Sequence, residues 1–132
     1  THRYTGLYRF DGAVLRSVAL FDRHDPRVQQ GADAPLHETY CGLVGAAEEG
    51  FATADAAHDP RLVDHAARAV VGSYCGALVR APDGRAVGTL CHFDATPQPV
   101  PAAEIPLLDA VAPRFAPWVL AAAAARGATA PA

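Results

Sequence analysis

Two Asp-Gly dipeptides, Asp11-Gly12 and Asp83-Gly84, each set between runs of alternating apolar residues, constrain this chain more than any other feature. Asp-Gly accepts the backbone geometry of a tight hairpin turn, so each pair marks two neighbouring antiparallel strands. The first joins a strand over residues 4–10, with Tyr4, Tyr8 and Phe10 on alternate positions, to a Val- and Leu-rich strand over 13–21. The second joins strands over 73–79 and 86–93.

The segments between and after the hairpins read differently. His24-Asp25-Pro26 breaks the second strand, and a polar loop runs to about Pro35. Leu36, Tyr40, Leu43 and Val44 share one face at helical spacing, which predicts a helix over 36–47, with Gly50 as its C-terminal cap. A short strand over 51–54 follows. Asp59-Pro60 places an N-cap before a proline at the first helical position and predicts a short helix to about Ala67. Prolines at 97, 99 and 101 exclude helix or central strand there. A last helix over 103–126 carries Pro113 and Pro117 and should kink or split, leaving 127–132 as a frayed tail. Hairpins mixed with helices predict an α+β fold: an antiparallel sheet of five to six strands with helices packed on its faces.

Composition narrows the function classes. The chain has 132 residues, 51% of them hydrophobic, enough for one packed domain over residues 1–126. The net charge is −3, and every basic residue is an isolated arginine. Without a concentrated basic face to displace phosphate counterions, direct nucleic-acid binding is not expected. No apolar stretch reads as a membrane span and no signal peptide opens the chain, so a cytoplasmic protein is expected. Cys41, Cys75 and Cys91 are too few and too widely spaced for a disulfide framework and contain no Cys-x-x-Cys pair for zinc. The six histidines form no His-x-His or His-x-x-x-His pair, so no metal site is expected. Phosphate-binding glycine loops and a nucleophile elbow are missing too, and no catalytic residue is assigned.

Four segments, in order, resemble the GAF family of small-molecule-sensing domains. They are Glu38-Thr39-Tyr40-Cys41, the run Ala54-Asp55-Ala56-Ala57-His58-Asp59-Pro60-Arg61, then Ser73-Tyr74-Cys75-Gly76-Ala77-Leu78, and Asp83-Gly84 leading to Gly88-Thr89-Leu90-Cys91. The resemblance implies a GAF-like (PAS/GAF-type) sheet, a small ligand, a regulatory role and a homodimer. Two features depart from the family. The sequence opens almost directly on the first strand, so the helix that usually precedes it is absent or was removed, and the Gly-x-Pro-Leu proline is not at its place near Leu78.

The ligand-binding candidates are Tyr40, Cys41, Asp55, Arg61, Tyr74, Cys75 and Cys91. The tyrosines offer a ring and a hydroxyl to a mostly apolar pocket, or else pack in the core. The cysteines, expected near one sheet face, would form a redox pair or serve as small buried hydrophobes. Asp55 would accept from a ligand or end a strand, and Arg61 would grip an anion. His65 sits where haem-binding members of the family place an axial ligand, and Cys91-His92 resembles the dipeptide of bilin-binding members. Tyr40-Cys41-Gly42 also resembles a helix motif of the free methionine-(R)-sulfoxide reductases, although that subfamily's other cysteine positions are empty here. A thiol enzyme of that type is therefore one alternative, and a dimerisation module without a ligand is another.

Overall fold

The computed structural model describes residues 2–129. Six antiparallel strands form one sheet in the order β3-β2-β1-β6-β5-β4. They are β1 (Tyr4–Asp11), β2 (Val14–Asp22), β3 (Ala34–Pro35), β4 (Phe51–Thr53), β5 (Ser73–Arg80) and β6 (Ala86–Asp94). Both Asp-Gly turns are present, with Gly12 at φ 56° and Gly84 at φ 88°, values that glycine adopts at little cost. The long central pairing β1–β6 joins the β1–β2 and β5–β6 hairpins into one surface.

Each face of the sheet carries its own layer. On one, α2 (Glu104–Val111) and α3 (Ala116–Thr129) flank a 3-10 turn over Ala112–Phe115, which contains Pro113. Leu108, Ala112, Ala116 and Val119 of this rod bury against Leu7, Cys75, Ala77, Val79 and Leu90. The helix reaches Thr129, three residues past the expected end, and residues 130–132 of the expected frayed tail lie outside the described residues. The segment Glu104–Ala125 is also long and apolar enough to cross a membrane by length and composition. Prolines divide the run, which hides this in the sequence. Here one face of the segment packs on the sheet while Leu107 and Trp118 stay exposed.

The opposite face is covered by α1 (Tyr40–Ala47) and three 3-10 turns, Ala56–His58, Pro60–Leu62 and Ala66–Ala69. Tyr40, Cys41 and Val44 of α1 pack with Leu62 and Ala67 of the turns against Tyr8, Leu15, Tyr74 and Cys91. The predicted helix over 36–47 divides at Thr39, whose hydroxyl caps α1 by accepting from the Gly42 amide at 3.3 Å. Glu48, not Gly50, ends α1, with a left-handed φ of 53°. Gly50 serves packing instead. A Cβ there would stand 2.8 Å from Ile105 Cγ2, so its lack of a side chain lets α2 seat on the β4–β5 edge. The helix expected after Pro60 is a single 3-10 turn, started as expected by Asp59, which accepts from the Arg61 amide at 3.0 Å.

Candidate functional site

A cavity of about 130 Å³ lies between the sheet and the α1 layer. Its floor follows from strand register. Gly6, Cys91 and Gly76 form one row across β1, β6 and β5. The two glycines leave room for Tyr8 and Tyr74 to lie back over the row, because a Cβ at either would collide with the neighbouring phenol ring. The tyrosines thus wall the cavity on either side of Cys91, with Leu15 and Phe93 beyond them. Tyr40 and Cys41 roof it from the first turn of α1, beside Ala67 and Val71. Exposed Ala32 and Glu38 stand at its edge.

The roof is pinned by polar contacts. The Tyr40 hydroxyl donates to the Val71 carbonyl at 3.0 Å, and its ring meets Tyr74 edge-on at 5.5 Å. The Cys41 sulfur lies 3.2 Å from the Tyr74 hydroxyl and accepts from Thr89 Oγ1 at 3.1 Å. Cys91 donates to the Gly6 carbonyl at 3.7 Å. Burial by itself would raise the Cys41 pKa, but its polar neighbours Cys91, Thr89 and Tyr74 outweigh it and hold the thiol below its usual range. Burial pushes Cys91 and Tyr74 well upward. It likewise raises Tyr8, the nearby cysteines adding to the effect.

Four of the seven predicted binding residues, Tyr40, Cys41, Tyr74 and Cys91, therefore meet in the cavity. Cys75 does not. It faces α2 on the other side of the sheet, where burial, then Glu104 and Asp109, push it up to about 12. The expectation of three cysteines near one face fails at a bulge. Arg80 pairs with Ala86, and one residue on the register slips so that Val79 pairs with Gly88 and Gly76 with Cys91. Without that slip Cys75 would stand opposite Cys91, since a one-residue shift reverses every side chain's face.

Asp55 and Arg61 line a separate open groove with Val100 and Ile105. Arg61 is already engaged: its guanidinium binds Asp59 at 2.6 Å and the Ala52 carbonyl at 2.7 Å, and covers the Phe51 ring at 4.5 Å. Asp55 binds His58 Nδ1 at 2.8 Å. His65 lies outside the cavity lining, where its Nδ1 accepts from the Ala67 amide at 3.0 Å and its ring packs on Tyr40 at 4.8 Å. The cavity is far smaller than the ~300–1,000 Å³ of larger ligand pockets, and a tetrapyrrole does not fit it. Among the described residues no group of three His, Cys, Asp or Glu is placed to hold a metal ion.

Tyr8, an alternating strand aromatic not among the seven binding candidates, lines the cavity, and Thr89 reaches the Cys41 sulfur beneath it. Period-two alternation alone puts Thr89 on the face of Cys91, and β1–β6 pairing then brings Tyr8 directly opposite Thr89.

No protein-family model matches the chain, and no curated protein matches it. Solved structures do. The GAF domain of an Acinetobacter phosphoenolpyruvate-protein phosphotransferase superposes with a TM-score of 0.70 at 20% identity, covering 96% of this chain and 75% of that one. The free methionine-R-sulfoxide reductase of Neisseria meningitidis, solved with its substrate, gives 0.68 at 18% identity, covering 94% and 71%. A type II enzyme of that activity from Thermoplasma acidophilum gives 0.65 at 17%, covering 89% and 79%. At these identities the likeness establishes the fold: the chain has the α+β GAF architecture.

Proposed function

We propose that this GAF-fold chain is a sensory or regulatory domain that binds a small ligand between its sheet and the layer formed by residues 36–71. The observation that carries this reading is the cavity itself: a largely apolar space of about 130 Å³ lined by Tyr8, Tyr40 and Tyr74. That is close to the ~150 Å³ of a cavity that accepts benzene. The ligand is accordingly a compact molecule with one flat or apolar body, held by few polar contacts. Binding orders the α1 layer, and the sheet passes the change to α2 and α3 on its far side. Native mass spectrometry of freshly purified protein, with its absorption spectrum, tests this first. A small bound mass lost on denaturation supports it. An apo mass, followed by no thermal shift across a library of small aromatic and short-chain molecules, counts against it and favours a ligand-free interaction module.

A second reading is favoured by Cys41 and Cys91 in the cavity: a thiol reductase acting on free methionine-(R)-sulfoxide, as the Neisseria and Thermoplasma neighbours are named. NADPH consumption coupled through thioredoxin, with and without the free sulfoxide, separates the two. The exposed Leu107 and Trp118 support a homodimer through the α2–α3 face, which sedimentation at several concentrations tests. Three free thiols suit the reducing environment of the cytoplasm.

A further inference from the structure

Strand register sets a second group of side chains on the sheet face that carries α2 and α3. Phe21 pairs with Thr5, Thr5 with His92 and His92 with Cys75, so these four form one row across β2, β1, β6 and β5. Neighbouring strands lie about 4.8 Å apart, which brings each side chain beside the next. Cys75, at one end of the row, packs under α2. The other end is open. Phe21 is 58% exposed there and, with Thr5 and His92, lines a cleft of about 570 Å³ that Arg23, Pro99, Pro101 and Glu104 complete.

The polar groups of this cleft have partners, with one exception. The Glu104 carboxylate stands 3.3 Å from His92 Nε2 and so favours the ring hydrogen on that nitrogen. His92 Nδ1 is then the acceptor, and the Thr5 hydroxyl donates to it at 2.8 Å. Burial lowers the pKa of His92 and of His2, whose ring stacks on it at 6.2 Å, so neither adds a charge at neutral pH. Among the described residues no side chain pairs with the Arg23 guanidinium.

We propose that this cleft is a second ligand site, which binds a small organic monocarboxylate with its apolar body on Phe21 and the two prolines and its carboxylate on Arg23. The volume falls within the ~300–1,000 Å³ of ligand pockets, as that of the cavity under α1 does not. Charge decides the class of ligand. One unpaired cation matches one negative charge, and a planar guanidinium donates two parallel N–H bonds to a carboxylate. A cationic ligand would meet Arg23 and find Glu104 already facing His92. The cleft shares no lining residue with the cavity under α1, so the two sites are independent.

Benzoate, titrated into the isotope-labelled 132-residue chain with amide shifts read by NMR, is the probe. Saturable shifts should centre on Thr5, Phe21, Arg23 and His92 and spare Tyr40 and Cys41. Arg23→Gln should weaken benzoate roughly tenfold, the worth of a hydrogen bond to a charged group. Phe21→Ala should weaken it as well, and since both residues are exposed both variants should keep the fold. Neutral benzamide should bind wild type no better than benzoate binds Arg23→Gln. Three outcomes overturn the proposal: no saturable shift at millimolar benzoate, equal binding of benzamide and benzoate, or shifts confined to the Tyr40–Cys41 cavity. The last of these would support the first site while removing this one.

Discussion

At residue 59 one carboxylate binds two groups of the same residue: the Arg61 amide, as a helix cap, and the Arg61 guanidinium, as an ion pair. The Arg61 side chain is the larger cause holding the Asp59 pKa far below the usual carboxylate range. A folded pKa below the unfolded one stabilises the fold above about pH 4 and loses that contribution as pH falls further. Asp59→Ala should therefore cost about 1 kcal/mol at neutral pH, the usual worth of a cap, and the difference from wild type should shrink in acid. Urea denaturation of both proteins at pH 7 and pH 3 measures it. This carboxylate was legible, because Asp-Pro announces a cap from two adjacent residues. The engagement of Arg61 is only partly local: Asp59 is two residues away, but Ala52 and Phe51 lie on a strand that local sequence does not bring near. Cys41 poses the same problem at greater range, since its donors come from β5 and β6. Tyr74→Phe removes one of them, which should raise the Cys41 pKa and move the pH profile of its alkylation by iodoacetamide upward. An unchanged profile would show that the phenol contributes nothing to the sulfur.

Among the elements, those set by neighbouring residues were readable and those set by packing were not. Both hairpins came from alternation and a turn dipeptide, and the split of the last helix came from Pro113. The two-residue β3 has no such signature. It pairs with Val14 and Leu15 at the outer edge of the sheet, and the next residue, Leu36, donates to the Ala13 carbonyl at 2.8 Å. The end of α1 was misplaced for a comparable reason. A glycine near a helix terminus signals a left-handed cap, but here that glycine admits Ile105 and the cap falls on Glu48. A non-glycine residue in that conformation costs about 1–2 kcal/mol. Glu48→Gly should relieve most of this. The change also removes an ion pair with Arg80 at 3.1 Å, exposed on both sides and so worth little. The expected net outcome is a stabilisation of about 0.5–1 kcal/mol, seen as a rise of a few degrees in Tm. Gly50→Ala should do the opposite, by pushing α2 off the sheet edge.

For the molecule as a whole, the sheet divides two cores with different work. The α2–α3 side is filled: Leu108, Ala112, Ala116 and Val119 close over Cys75, Ala77 and Val79. The α1 side keeps a cavity beside its own packed residues, so it holds space into which a larger side chain can grow. This division predicts two substitutions with separable effects. Val119→Ala removes buried methyl groups from the filled side and should destabilise by about 1–3 kcal/mol, while the cavity and any ligand it holds are untouched. Ala67→Leu places a larger apolar side chain from the roof into the open space. It should leave stability within about 1 kcal/mol of wild type, because gained burial offsets crowding, and should abolish ligand binding. Thermal unfolding and native mass spectrometry, measured on both variants, decide it. If Ala67→Leu lowers Tm as far as Val119→Ala does, the space is already packed tightly enough to act as core. The cavity would then be a gap in the packing, and the fold would act through its surfaces. If the two effects separate as expected, the α1 layer is held less tightly than the α2–α3 layer, and occupancy of the cavity is what tightens it.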